Sequence, residues 1–195
     1  MSDAKRTSSV SRVTKETRID LQLNLDGGTI EIATGVDFFD HMLNAFAKHS
    51  GVGLNLVAQG DGMDHHHVIE DVGIALGKAI HDALGDKAGV ARYGDAIVPL
   101  DDALVLASVD LAGRAYTNVQ ITLLRENLGS MPTEMVPEFF RALADNAKLT
   151  LHLVQQHGHV AHHVCEATFK AFARAFGKAI AVVGTDIPST KGLLE

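Results

Sequence analysis

The sequence has no tryptophan, a single cysteine and only four prolines in 195 residues. One thiol, Cys165, cannot form an internal disulfide, and it suits a reducing compartment. No apolar run reaches the length needed to cross a bilayer. The opening "MSDAKRTSSV" is polar and no apolar stretch follows it, so no secretory signal is read there. Cationic excess is missing too: 24 acidic side chains outnumber 17 basic ones, giving a net charge of −7. That balance argues against nucleic acid or a membrane as partner. With 46% hydrophobic residues, the expectation is a globular, cytoplasmic chain with one substantial core.

Histidine is what the chain has in excess, at 11 residues. His65, His66 and His67 crowd into "DHHHVIED" (64–71), and His159, His162 and His163 crowd around "AHHVCE" (161–166). Both stretches contain His-His-x-x-Glu, well inside patterned sequence.

The pattern reads as two halves. "TRIDLQLNLDGGTIEIAT" alternates with period two around Asp26, Gly27 and Gly28, which predicts a hairpin. "DFFDHMLNAFAKHS" has helical spacing and stops at Gly51, and "VGLNLVAQG" alternates as a strand. A second helix starts at His66 and stops at Gly85. The second half repeats this β-β-α-β-α order: two strands around Gly113, a helix through Phe139, Phe140 and Leu143, a strand over "LTLHLVQQ", and a long helix with Gly184 as its C-cap. Residues 85–94 and 126–137 read as loops. "LGKAI" (76–80) echoes "FGKAI" (176–180), with four more residues after the second histidine pair than after the first. The expected fold is α+β, an internal duplication in which each half is a mixed sheet with helices on one face. The whole chain, 1–195, is then one domain of two pseudo-repeats, about 10–90 and about 91–190.

On a helix, His66 and Glu70 share a face, as do His67 and Glu70. Adjacent His66 and His67 diverge by about 100°, so one ion cannot easily take both rings. Each pair is therefore expected to serve two ions, each ion drawing on both halves. A single such pair reads more simply as a solvated first turn; two in matching positions favour ligation. His41 on the first helix, and Glu138 as the only ligand type close to its counterpart in the stretch 138–142, complete a candidate set of eight: His41, His66, His67, Glu70, Glu138, His162, His163 and Glu166. Imidazole with carboxylate favours Mn, Fe, Zn or Ni over Ca or Mg.

Several stretches together resemble the imidazoleglycerol-phosphate dehydratase family: "RVTKET" (12–17), "FFDHMLNAFAKH" (38–49), "HHVIEDVGIALG" (66–77), "ARYGDAIVPLDDAL" (91–104), "DLAGRAY" (110–116), "EFFRALA" (138–144), "HHVCEATFKAFARAFGKAI" (162–180) and "STKGLL" (189–194). The resemblance implies that His41, His66, His67, Glu70, His162, His163 and Glu166 hold two Mn2+ ions per active site. Glu138 falls where the family places His or an acid. Glu16 and His49 match positions lining the substrate, alongside His41, His66, Glu70 and His162. Arg92, Arg114, Lys170, Ser189, Thr190 and Lys191 match the phosphate-binding set. The resemblance also implies a shell of 24 identical subunits built from trimers, with sites completed between neighbours. Three positions depart from the family: His65 replaces an Asp, Val160 stands where Asn is common, and Asp37 where Gly is preferred.

The implied substrate is an imidazole carrying a glycerol phosphate, which loses water to give a ketone. The proton to be removed is not acidic, since no carbonyl adjoins it. The expectation is that an electron-rich ring expels the hydroxyl, giving a diazafulvene-like intermediate, and a carboxylate takes the neighbouring proton. Glu16 is the expected base, with Glu70 or Glu166 behind it. Two other readings of the same ligands are a non-catalytic metal-binding shell and a metal-dependent phosphate-ester hydrolase.

Overall fold

The computed structural model describes residues 6–63 and 65–194; the first five residues, Asp64 of the first histidine stretch and the last residue lie outside the described part. The first half contains β1 (Thr7–Val13), β2 (Thr17–Asn24), β3 (Ile30–Ala33), α1 (Asp37–Ser50), β4 (Gly53–Gly60) and α2 (His66–Leu84). The second contains β5 (Tyr93–Leu100), β6 (Ala103–Asp110), β7 (Tyr116–Gln120), a small hairpin of β8 (Asn127–Leu128) and β9 (Met131–Pro132), α3 (Met135–Ala147), β10 (Thr150–His157) and α4 (Ala161–Ala179). The duplication is visible in the sheets. One runs β1-β2-β4-β3 and the other β5-β6-β10-β7, each antiparallel except for its last, parallel pair.

Each half thus has one more leading strand than the sequence suggests. β1 was hidden because "TSSVSRV" offers Val10 as its only buried side chain. β5 was hidden because its inward residues begin with Gly94 and Ala96, where a Cβ on Gly94 would lie 1.9 Å from the Ala175 carbonyl of α4. The expected hairpin around Asp26 is not one. β2 and β3 flank β4 instead of pairing, and the turn crosses the start of β4. Gly53 permits the crossing, since any Cβ there would meet the Gly27 carbonyl oxygen at 2.8 Å. The strands around Gly113 are likewise separated by β10. The 126–137 stretch is not only loop: it holds β8, β9 and the start of α3.

The helices lie between the sheets and cross between halves. α2 packs on β1 and β2 and against α3; α4 packs on β5 and β6 and against α1. The shared core is a chain of phenylalanines: Phe39 meets Phe139, Phe139 meets Phe169, and Phe46 stacks on Phe172 at 5.4 Å between centroids. α1 ends as expected at Gly51, whose φ of 82° suits the left-handed cap. α4 ends at Ala179, capped by Ile180, well before Gly184. Both α2 and α4 span 19 residues and begin at their histidine pairs, so no extra turn separates them. The "GKAI" echo is out of register by one turn, and each glycine serves its own crossing: Gly77 against Leu143 of α3, Gly177 against Ser50 at the end of α1.

Candidate functional site

Both histidine pairs sit on the first turn of a helix, and both splay apart. The rings of His66 and His67 have centroids 6.0 Å apart and planes at 76°; those of His162 and His163 are 6.0 Å apart at 80°. The first member of each pair faces its own glutamate. His66 Nε2 lies 3.6 Å from Glu70, and His162 Nε2 lies 3.2 Å from Glu166. The second member turns to an aspartate from another element. His67 Nδ1 is 3.0 Å from Asp61, and His163 Nδ1 is 2.7 Å from Asp102. Such a carboxylate on Nδ1 fixes the ring and directs Nε2 outward, as in metal-ligating histidines.

The other half contributes to each cluster. From α1, His41 Nε2 comes within 3.7 Å of Glu166 on α4, and Phe38 sets its ring edge against His162 at 5.1 Å. From α3, Glu138 is tied to Arg141, which also lies 3.7 Å from Glu70 on α2. Glu138 thus reaches the Glu70 cluster from the other half, but only through Arg141, whose guanidinium stands between the two carboxylates. Sequence reasoning missed Arg141. Its spacing from Glu138 and Asp145, three and four residues on one helix face, was the available signal. His65 and His159 stay outside: His65 precedes α2, and His159 donates only its backbone N–H to Asp102 at 2.7 Å.

Glu16 sits at the tip of the β1–β2 turn, 4.0 Å from His67 Nε2. Thr14 Oγ1 accepts the backbone N–H groups of Glu16 and Thr17, at 3.1 and 2.9 Å. Asp71, next to Glu70 on α2, fastens the turn by accepting from Arg12 at 2.7 Å and from the Thr17 hydroxyl. That clamp has no signature in residue spacing, since Asp71 lies far from Arg12 and Thr17 in the chain. The β5–β6 turn is the matching element of the second half, and its Asp101 lies 3.4 Å from His163 Nε2.

A cleft of about 380 Å³ between α1 and α4 brings His41, His49, Glu166 and Lys170 together. Burial would raise the Glu166 pKa, but the Lys170 ammonium at 2.6 Å outweighs it, and with His41 and His162 holds the carboxyl below its ordinary value. Burial, then Lys170 and Arg174, push the His49 imidazole pKa below its ordinary value. Asp102 is held well below the carboxylate range by the His159 N–H, by His163 and by the Val160 N–H.

The phosphate-type residues divide into two places. Lys170 is in this cleft, whereas Arg92 accompanies the far end of α4, its backbone N–H donating to Ala179 at 2.9 Å. Its guanidinium forks onto Asp110 at 2.8 and 3.2 Å and donates to the Pro188 carbonyl at 3.0 Å, beside Ser189, Thr190 and Lys191. Arg114 lies in the loop before β7. At 1.5 Å per residue, Arg92 and His162 are separated by roughly 25 Å along α4. Within one chain, and among the described residues, no group of three or more His, Cys, Asp or Glu is gathered closely enough to hold an ion.

The comparisons place this chain among known proteins. A family model described as imidazoleglycerol-phosphate dehydratase matches residues 34–176. The imidazoleglycerol-phosphate dehydratase of Chlorobium chlorochromatii is 51% identical, covering 100% of both chains. The histidine biosynthesis bifunctional protein HisB of Stenotrophomonas maltophilia is 50% identical over 100% of this chain and 54% of its own length. The crystal structure of IGPD from Pyrococcus furiosus in complex with (S)-C348 superposes with a TM-score of 0.83 at 38% identity, covering 95% of this chain and 100% of that one.

Proposed function

Since this chain belongs to the imidazoleglycerol-phosphate dehydratase family, we propose that it removes water from imidazoleglycerol phosphate to give imidazole-acetol phosphate, a step of L-histidine biosynthesis. The reading is carried by the likeness to a dehydratase relative over the whole chain, within which both His-His-x-x-Glu helix starts present an imidazole to a glutamate one turn on.

The reaction breaks a C–O bond at the carbon attached to the ring and a C–H bond at its neighbour. A C=C bond forms between them, water leaves, and the resulting enol becomes the ketone. Glu16 Oε takes the proton from the neighbouring carbon; it is exposed, at the tip of a fastened turn, and next to His67. Glu70 and Glu166 are the carboxylates behind it. In the present arrangement each has a cation at hand, Arg141 and Lys170 respectively. Lys170 approaches from the cleft that also holds His49, a hydrogen-bonding partner for substrate hydroxyls. Arg92, Arg114, Ser189, Thr190 and Lys191 form the remaining phosphate set, in which a guanidinium can fork onto phosphate oxygens.

The donor chemistry fits Mn2+, with imidazoles and carboxylates and no accessible thiolate, since Cys165 is buried. His41, His66, His67, Glu70, Glu138, His162, His163 and Glu166 would hold two ions per site. When bound, they would supply positive charge that stabilises the ionised form of the substrate's ring.

Self-association belongs to the same reading. A three-carbon phosphate cannot reach from His162 to Arg92 along α4, so the two parts serve one substrate only when copies of the chain meet. A homo-24-mer built from trimers is the proposed assembly, in the cytoplasm. Among the described residues no helix is long and apolar enough to cross a membrane.

The test is to incubate Mn-loaded protein with imidazoleglycerol phosphate and follow the ketone's absorbance. Turnover that is lost on chelation and regained with Mn2+ is expected, with none on simple phosphate esters. Metal uptake without turnover favours the storage shell, and hydrolysis of simple esters favours the hydrolase.

A further inference from the structure

After α4 the chain doubles back along residues 87–92, and a ladder of bonds from that segment fixes it. Ala91 N–H donates to Ala181 at 2.8 Å, and Gly89 accepts from Val183 and Gly184 at 2.8 and 3.1 Å. Gly89 N–H donates to Asp186 at 2.9 Å, Arg92 to Pro188 at 3.0 Å, and Lys87 Nζ to Leu194 at 3.4 Å. Three residues of this short segment are left-handed: Lys87 at φ 62°, Gly89 at 75° and Arg92 at 72°. Two of them carry a Cβ that crowds the backbone there, so the conformation persists only because the surroundings hold it.

Lys87 is the unusual member. It is 3% exposed, and burial pushes its ammonium pKa down, with Asp110 opposing. A buried ammonium is costly unless paired. Asp110 accepts the Arg92 fork and acts on Lys87 only through its charge, and both cations send donors to the tail. Those donors reach the carbonyls of Pro188 and Leu194, on either side of Ser189, Thr190 and Lys191.

We propose that Lys87 and Gly89 are positioning residues, a latch that sets residues 189–191 in place for the substrate's phosphate. This rests on the phosphate role given to those residues above. Gly89 is needed for space as well as for its backbone: a Cβ there would fall 2.3 Å from the Gly184 carbonyl oxygen. Neither residue is among those expected to touch substrate, and a side chain at either position acts only through the tail.

Two variants, Lys87→Met and Gly89→Ala, are compared with the parent in the assembled, Mn-loaded protein. Trypsin cleavage after Lys191, followed by mass spectrometry, reads the latch itself and is expected to be about tenfold faster in both. Calorimetric titration with inorganic phosphate should give about tenfold weaker binding in both, and titration with imidazole should give unchanged binding. Equal cleavage rates overturn the latch. Faster cleavage with phosphate binding unchanged, or with imidazole binding weakened equally, overturns the positioning role. If Lys87→Met does not fold, Gly89→Ala decides by the same readouts. All of these are independent of turnover, so failure of the dehydratase assay would be seen separately.

Discussion

Removing Asp71 should damage turnover more than stability, because it fastens the turn that carries Glu16. The Asp71 side chain is 11% exposed and accepts from the Thr17 hydroxyl and from Arg12. In Asp71→Ala the Thr17 hydroxyl, on a residue only 4% exposed, loses its charged acceptor and keeps only the long contact to Thr14 Oγ1 at 3.2 Å. An unmade bond of that kind costs about 1–3 kcal/mol. The Arg12 side chain is 35% exposed, so water screens its share of the ion pair to under about 1 kcal/mol. The total of about 1–4 kcal/mol corresponds to a fall in Tm of roughly 2–16 °C for a chain of this size. The effect on catalysis is geometric. Misplacing a catalytic group by about 1 Å costs on the order of a hundredfold, so kcat should fall by about 10–100-fold while Mn2+ content is unchanged. The assays are thermal unfolding, metal analysis of the purified protein, and turnover of imidazoleglycerol phosphate at a temperature where the variant is folded. A variant with lowered Tm and parental kcat would refute the argument, since the turn would then be held by something else.

Three further outcomes are expected. Glu16→Gln should lower kcat by about 10²–10⁴-fold, the range for loss of a general base, with metal content and oligomer size unchanged; parental turnover would remove Glu16 from the reaction. Gly77→Ala should destabilise by about 1–3 kcal/mol as overpacking, because its Cβ would lie 2.4 Å from the Leu143 carbonyl where α2 crosses α3, and chemical unfolding would read it. Burial pushes the Cys165 thiol up to about 12 from 9.0. The folded state therefore binds that proton more tightly than the unfolded state, and stability should fall as pH rises above about 9. A disulfide reagent at pH 8 should label Cys165 only on unfolding, and rapid labelling of the folded protein would contradict its burial.

Much of the fold was legible because period and residue type are local properties. The 3.6-residue spacing of Phe39, Met42, Leu43 and Phe46 marks α1, and Gly51 ends it, with no need to know what packs there. Strand partners are not local. Ile19, Leu21 and Leu23 say that β2 has an inner face, but nothing in "LDGGT" says that the chain will step across β4 before resuming. The information for that step lies at Gly53, twenty-odd residues on, and has meaning only once β4 is beside the turn. β5 failed for a related reason: its inner positions are small because a helix from the far end of the chain presses on them. The site shows the same division. The splay of the paired imidazoles follows from helix geometry, and the repeat alignment points only to the neighbourhood of Glu138 as the counterpart of His41. Asp61, Asp71, Asp102 and Arg141 are carboxylates and a guanidinium with no motif of their own, and their roles come from tertiary placement.

That placement also explains how a duplicated chain can build clusters that neither half possesses. α1 lies on α4 and α3 on α2, so each helix bearing a lone candidate ligand packs against the histidine-bearing helix of the other half. His41 then comes to Glu166, and Glu138 to the neighbourhood of Glu70. A half on its own would keep the His-His-x-x-Glu turn but lose the residue supplied from across the helix layer. The two clusters have since diverged: one brings an imidazole and Lys170 to its glutamate, the other a second carboxylate with Arg141 between. Exchange of helices brings a side chain from the other half to each cluster, and that side chain differs in kind: an imidazole from α1 in one, a carboxylate from α3 in the other.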